Sequence, residues 1–73
     1  MKIENKKIAH LDITQFFNKE AGLISEVQEY AIGGKYEVQC FKLIPGKGYT
    51  MADKKLFHSV AGALRAGQEY CEG

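Results

Sequence analysis

The side chains with the greatest potential for nucleophilic or metal chemistry are two cysteines and two histidines. They are Cys40, Cys71, His10 and His58. A nucleophilic pair such as Cys40 with His58 would need a third group to orient the histidine and a pocket for a substrate. A chain of 73 residues has little volume for such a pocket. The sequence therefore favours Cys40 as a buried strand residue and His58 as a boundary residue, and predicts that the protein is not an enzyme.

Metal and cofactor sites are also not indicated. Zinc sites use paired ligands at short spacing, such as C-x-x-C, whereas the two cysteines stand far apart at positions 40 and 71. The glycines of Pro45-Gly46-Lys47-Gly48 are not followed by the Lys-Ser/Thr pair of a phosphate loop. Small secreted proteins that depend on disulfides usually carry four or more cysteines. We expect no cofactor, no metal, reduced cysteines and a cytoplasmic location.

The positive charge is concentrated in the middle of the chain. The formal net charge is only +1, yet residues 35–55 carry five lysines against two acidic residues. Tyr36, Phe41 and Tyr49 are interleaved with these lysines. Such a segment usually forms a solvated charged face. The alternative is a surface whose lysines contact phosphates and whose aromatic side chains stack on bases.

Composition indicates one small globular domain, residues 1–73. Hydrophobic residues make up 45% and charged residues 26%, which are ordinary values for a folded domain. No apolar run approaches the roughly 18 residues that a membrane-spanning helix needs. We therefore expect a monomer that does not enter a membrane.

The N-terminal third predicts an arm followed by a short helix. Residues 1–11 lack clear periodicity and are interpreted as an extended arm or a weak edge strand. Asp12 is a candidate helix N-cap, and Gln15 three residues later gives a variant of the capping box. Apolar residues then recur at helical spacing. The expected helix spans residues 13–21, with Gly22 as its C-terminal glycine.

The central segment predicts three antiparallel strands. A two-residue turn at Gly33-Gly34 would join the first two strands. This turn would place Ala31 opposite Tyr36 and Val27 opposite Cys40. Pro45-Gly46 suits the two central positions of a type II turn, and a third strand is expected from about Tyr49.

The C-terminal segment predicts a helix. An apolar stripe at three- and four-residue steps runs through Val60, Leu64, Gly67 and Cys71. Asp53 and Ser59 are both good N-caps, and Ser59 is favoured because Lys54 and Lys55 are unfavourable in a first turn. The predicted fold is α+β: a short N-terminal helix, a three-stranded antiparallel sheet and a C-terminal helix packed on one face.

The predicted three strands plus helix, residues 26–71, resemble the DNA-binding modules of phage integrase arms and, more loosely, double-stranded RNA-binding domains. The terminal helix departs from these families. It carries Arg65 as its one base, and it ends in Glu69 and Glu72. The resemblance supports nucleic-acid binding as the alternative function.

The basic start of the chain, Met1-Lys2-Ile3 through Lys6-Lys7, together with the size and plan, resembles small host-takeover proteins of lytic bacteriophages. This resemblance implies a non-catalytic regulator that binds a host complex, RNA polymerase above all, and inhibits transcription or promotes antitermination in the host cytoplasm. The same resemblance implies anti-CRISPR action as a related alternative. The expected contact surface comprises Met1, Lys2, Ile3, Lys6, Lys7, Lys42, Lys47, Lys54 and Lys55.

Overall fold

The computed structural model describes residues 3–8, 13–29 and 34–73 of the chain. These residues form five strands followed by one helix. The elements are β1 Glu4–Ile8, β2 Ile13–Asn18, β3 Leu23–Glu29, β4 Tyr36–Ile44, β5 Gly48–Phe57 and α1 Val60–Glu72.

The strands form one antiparallel sheet in which each strand pairs with the next one along the chain. The order in the sheet is β1-β2-β3-β4-β5. α1 packs across one face, mainly over β2, β3 and β4. The α+β class agrees with the prediction, but the expected three-stranded sheet with an N-terminal helix is wrong.

Residues 13–21, predicted as a helix, instead form β2 and the turn that follows it. Phe16 and Asn18 are buried while Phe17 between them is only half-buried, which is the two-residue alternation of a strand. Ile13, Thr14 and the aromatic pair also suit a pleated surface. The helical spacing of the apolar residues was therefore coincidental, because it depended on counting Phe16 and Phe17 on one face.

Residues 4–8 of the N-terminal arm form β1, an edge strand that pairs with β2 from Glu4–Phe17 to Ile8–Ile13. The edge-strand alternative is confirmed for these residues. Sequence periodicity missed β1 because an edge strand with a solvated side needs few apolar residues.

The register between β3 and β4 differs from the prediction by two residues. Val27 lies opposite Val38 rather than Cys40. The Ala31 pairing falls outside the described residues. Because side chains alternate with a period of two, a two-residue shift leaves every side chain on the face that was expected.

The tight turn between β4 and β5 confirms the type II prediction. The Lys47 N–H donates to the Ile44 carbonyl oxygen over 2.9 Å, and Gly46 has a φ of 84°. A side chain other than that of glycine is disfavoured at this φ, which explains the Pro-Gly order. The third predicted strand begins at Gly48, as β5.

The N-cap of α1 is Ser59, as favoured by the sequence. The Ser59 hydroxyl oxygen accepts a hydrogen bond from the Gly62 N–H over 3.1 Å. Asp53 lies within β5 instead. None of the helical residues that the structure describes forms a stretch long and apolar enough to cross a bilayer.

The core between α1 and the sheet is small. Its buried apolar members are Phe16, Val27, Val38, Cys40, Ala63 and Cys71. Gly67 and Cys71 confirm two positions of the predicted helical stripe. Val60 is 49% exposed, however, because the buried face of α1 runs through Ala63, Gly67 and Cys71.

Two buried polar side chains of the sheet form hydrogen bonds to the backbone of α1. The Asn18 amide donates to the Cys71 carbonyl oxygen, and the Ser25 hydroxyl donates to the Gly67 carbonyl oxygen, both over 2.8 Å. Asn18 and Ser25 are both fully buried. Since a buried polar group without a partner is costly, these bonds favour one position of the helix over sliding alternatives.

Candidate functional site

The longest continuous exposed segment among the described residues is 42–56, here called the ribbon, which comprises the end of β4, the type II turn and most of β5. Every residue of this ribbon is exposed. Beyond the Leu43–Gly22 hydrogen bond, the outer end of the ribbon extends past β3 as a two-stranded hairpin, whereas residues 53–56 pair with the part of β4 that also pairs with β3.

A β-bulge lies at the base of the ribbon. Cys40 pairs with Asp53 and Phe41 pairs with Met51, which leaves Ala52 as an additional residue on β5. Bulges increase strand twist and are frequent at sheet edges. The bulge therefore separates β5 into an outer part, Gly48 to Met51, and an inner part that begins at Asp53.

The face of the sheet opposite α1, here called the open face, carries an apolar stripe. A cross-strand row runs from Phe17 through Ile24 and Phe41 to Met51, and the Leu43–Tyr49 pair lies beside it. Met51 is 49% exposed, and Leu43 and Tyr49 are each 44% exposed. The solvent face of an antiparallel sheet is usually polar, so this stripe is a candidate contact surface.

The next rows of the open face are polar and hydrogen-bonded. The Gln15 amide donates to the Glu26 carboxylate over 2.9 Å, and the Gln39 amide donates to the Glu37 carboxylate over 2.8 Å. The Lys54 ammonium lies 3.5 Å from the same Glu37 carboxylate, whose residue is 4% exposed. The row next to the stripe therefore contains one carboxylate, that of Glu26, and one lysine, Lys54.

The four predicted contact lysines of the central segment are all exposed on the ribbon. Lys54 pairs with Glu37, and Lys55 lies 3.7 Å from the Asp53 carboxylate. Lys42 and Lys47 belong to a stretch, residues 38–52, that contains no acidic residue. The positive potential of the ribbon is therefore strongest towards its turn.

The N-terminal part of the predicted contact surface does not lie with the ribbon. β1 and β5 occupy opposite edges of the sheet. Ile3 packs against the core, and Lys6 and Lys7 are strand residues whose side chains lie outside the described set. Met1 and Lys2 fall outside the described residues. The structure brings together the central lysines but not the two halves of the predicted surface.

A shallow cleft of about 310 Å³ lies between α1 and β5. Its lining includes Cys40, Asp53, Lys55, Glu69 and Tyr70. Burial, followed by the nearby Asp53 carboxylate, raises the pKa of the Cys40 thiol above its ordinary value. A protonated thiol is a weak nucleophile, so this combination is poorly suited to covalent catalysis at neutral pH.

The proposed base for that thiol is also far away along the chain. His58 is exposed and follows Phe57, whereas Cys40 pairs with Asp53. Four residue steps of strand, at about 3.3 Å each, separate Asp53 from Phe57. Among the described residues, no group of three or more His, Cys, Asp or Glu side chains is arranged to hold a metal ion.

Comparison with known proteins gives no family assignment. No protein-family model matches the chain, and no curated protein or solved structure matches it significantly. The geometry of the ribbon and of the open face therefore has to carry the functional argument.

Sequence reasoning found the exposed lysines but missed the apolar stripe. Phe17 was assigned to a helix, so it could not be placed beside Ile24 and Phe41. The signal that could have found the stripe is the strand character of Ile13 to Asn18, which puts Phe17 on the face opposite the buried Phe16.

Proposed function

We propose that the protein is a non-catalytic regulator that binds another protein through the apolar stripe of the open face. The observation that carries this proposal is the distribution of exposed large apolar side chains. Among the described residues, three of the six such side chains lie together on the stripe: Leu43, Tyr49 and Met51. Clustered exposed apolar residues rimmed by polar ones are typical of protein interfaces.

The charges beside the stripe favour a protein over a polyanion. Glu26 lies in the row next to the stripe, and Lys54 in the same row is within ion-pair distance of the buried Glu37 carboxylate. A phosphate backbone approaching the open face would meet the Glu26 carboxylate and would have to compete with Glu37 for Lys54. A partner with an apolar contact patch does not face that cost.

Host RNA polymerase is the partner to test first, because it is the target that the resemblance to phage host-takeover proteins implies. Binding there would inhibit transcription or promote antitermination. Inhibition of a CRISPR complex is the related alternative, and it would use the same stripe.

Nucleic-acid binding is the second candidate, supported by Lys42 and Lys47 in a stretch free of acidic residues. A two-stranded ribbon is narrow enough to enter the DNA major groove. In this alternative the turn of the ribbon contacts nucleic acid, and the open face does not.

The deciding experiment compares two neighbouring variants on opposite faces of the ribbon. Leu43 lies on the stripe, and Ile44, exposed to a similar degree, points to the other face. Leu43→Asp should abolish retention of purified RNA polymerase by the tagged full chain, and the matched control Ile44→Asp should retain it. Equal binding by wild type and Leu43→Asp contradicts the stripe as the interface.

The same samples distinguish the nucleic-acid alternative. Binding to duplex or single-stranded DNA that falls steeply between low and high salt, and that is lost in Lys42→Glu with Lys47→Glu, would favour that alternative. Absence of RNA polymerase binding by the wild type would show that the proposed partner is wrong.

A further inference from the structure

The outer edge of β5 has no strand partner among the described residues, because β5 is the last strand of the sheet. The Leu43 N–H donates to the Gly22 carbonyl oxygen over 2.8 Å, on the side of β3. Backbone groups alternate in direction along a strand, so Tyr49, the partner of Leu43, turns its N–H and C=O away from β4. Met51, two residues later, does the same.

One amide on the inner half of the same edge is capped by the chain itself. The Lys54 N–H donates to the Asp53 carboxylate over 2.8 Å. The bulge at Ala52 interrupts the regular alternation just before this point. Capped amides, charges and bulges are ways in which proteins protect an edge strand from pairing. The protection stops at the bulge, and the segment from Tyr49 to Met51 lacks it.

We propose that a second copy of the chain occupies this segment, with the two β5 strands antiparallel about a two-fold axis at Thr50. Tyr49 of each copy would then lie opposite Met51 of the other, and their outward N–H and C=O groups would form two reciprocal pairs. A two-fold axis requires one surface to complement itself, and a short antiparallel segment centred on one residue meets that requirement. This inference is independent of the proposed partner.

The charges at the two ends of the segment are complementary under the same symmetry. Lys47, in the turn, lies on one side of Thr50, and Asp53, just past the bulge, lies on the other, each three residues away along the chain. Antiparallel pairing about Thr50 brings each Lys47 towards Asp53 of the second copy. A parallel arrangement in the same register would instead bring like charges together.

The second copy would also complete the apolar stripe. The row that ends at Met51 would continue through Tyr49 and Leu43 of the second copy, which gives one surface across a ten-stranded sheet. The small core is an additional reason to expect a dimer, because domains of this size commonly need a disulfide, a metal or oligomerisation for stability. Both described cysteines are free. The proposal replaces the monomer expected from the sequence.

Sedimentation equilibrium of the full chain from about 1 μM to about 1 mM tests the proposal. The wild type should approach twice its mass of 8.2 kDa as the concentration rises. Met51→Pro removes an outward N–H and should remain a monomer, because proline is tolerated where the N–H faces away from the ladder. Met51→Ser, which keeps that N–H, is the matched control and should still dimerise.

A charge exchange provides a test that does not depend on proline. Lys47→Asp should weaken the dimer by about tenfold, and adding Asp53→Lys should restore much of the affinity. A wild type that stays monomeric at all concentrations, or a Met51→Pro variant that dimerises normally, overturns the proposal.

Leu43→Asp separates this proposal from the proposed function. Leu43 contributes to the stripe but not to the paired edge, so this variant should lose RNA polymerase and still dimerise.

Discussion

At Gly67, α1 lies in close contact with the sheet. A Cβ atom at this position would lie 3.0 Å from the Ser25 hydroxyl oxygen, 3.1 Å from a Val27 methyl carbon and 3.2 Å from the Phe16 ring. All three neighbours are buried, so they have little room to move.

Gly67→Ala should therefore destabilise the protein by about 1–3 kcal/mol, although alanine is the better helix former. Urea unfolding monitored by circular dichroism measures the change. Gln68→Ala, at the exposed neighbouring position, should stay within about 0.5 kcal/mol of the wild type. An equal or higher stability for Gly67→Ala would mean that the helix is not packed as closely as described.

The two buried thiols make stability depend on alkaline pH. Burial raises the pKa of both Cys40 and Cys71 above the ordinary 9.0, and the Asp53 carboxylate adds to the effect at Cys40. The unfolded chain then loses its thiol protons at lower pH than the folded chain. Stability is fully present below the ordinary thiol pKa and falls as the pH rises from there through the folded-state values.

Unfolding free energy measured in reducing buffer should accordingly be flat through neutral pH and decline above about pH 8.5. Cys40→Ala should show a shallower decline than the wild type over the same range, whatever its stability at neutral pH. Tyr70, whose pKa burial also raises, continues to contribute at higher pH in both proteins. Parallel pH curves for the two proteins would contradict a buried, protonated Cys40.

At the scale of single elements, α1 depends on its first turn. Ser59 caps the helix, but the first turn contains no acidic residue and the last turn no basic one. Ser59→Ala should cost about 0.5–2 kcal/mol, since it removes the acceptor for the Gly62 N–H. Ser59→Asp should keep the stability near that of the wild type, because aspartate also caps and favours the positive end of the helix dipole. Thermal unfolding of the three proteins measures the difference, and equal loss in both variants would argue against the cap.

The elements differ in how well local sequence could predict them. The type II turn and the Ser59 cap were predictable because each depends on the chemistry of two to four consecutive residues. β2 was not predictable, because the apolar residues from Ile13 to Ala21 also fit helical spacing when the strands that pair with β2 are unknown. Its strand state depends on pairing with both β1 and β3, which is information from outside the segment.

The candidate site shows the same division. Exposure of Lys47 and its neighbours follows from the turn and could be expected from the sequence. The apolar stripe could not, because it requires the registers of four strands to be known together. Which residues of β5 turn their backbone N–H and C=O groups away from β4 is inferred from one further hydrogen bond, between Leu43 and Gly22.

At the scale of the whole molecule, the order of the strands has a consequence for how the protein folds. Each strand pairs with its neighbour in the chain, so the sheet can grow through short loops whose closure is entropically cheap. The bond from Asn18 to the Cys71 carbonyl joins residues 53 positions apart, and it can form only when most of the chain is already ordered. The folding nucleus is therefore expected among the hairpins, and helix docking late. Until that step the apolar faces on both sides of the sheet are open to water, which makes the undocked sheet the state most prone to aggregate.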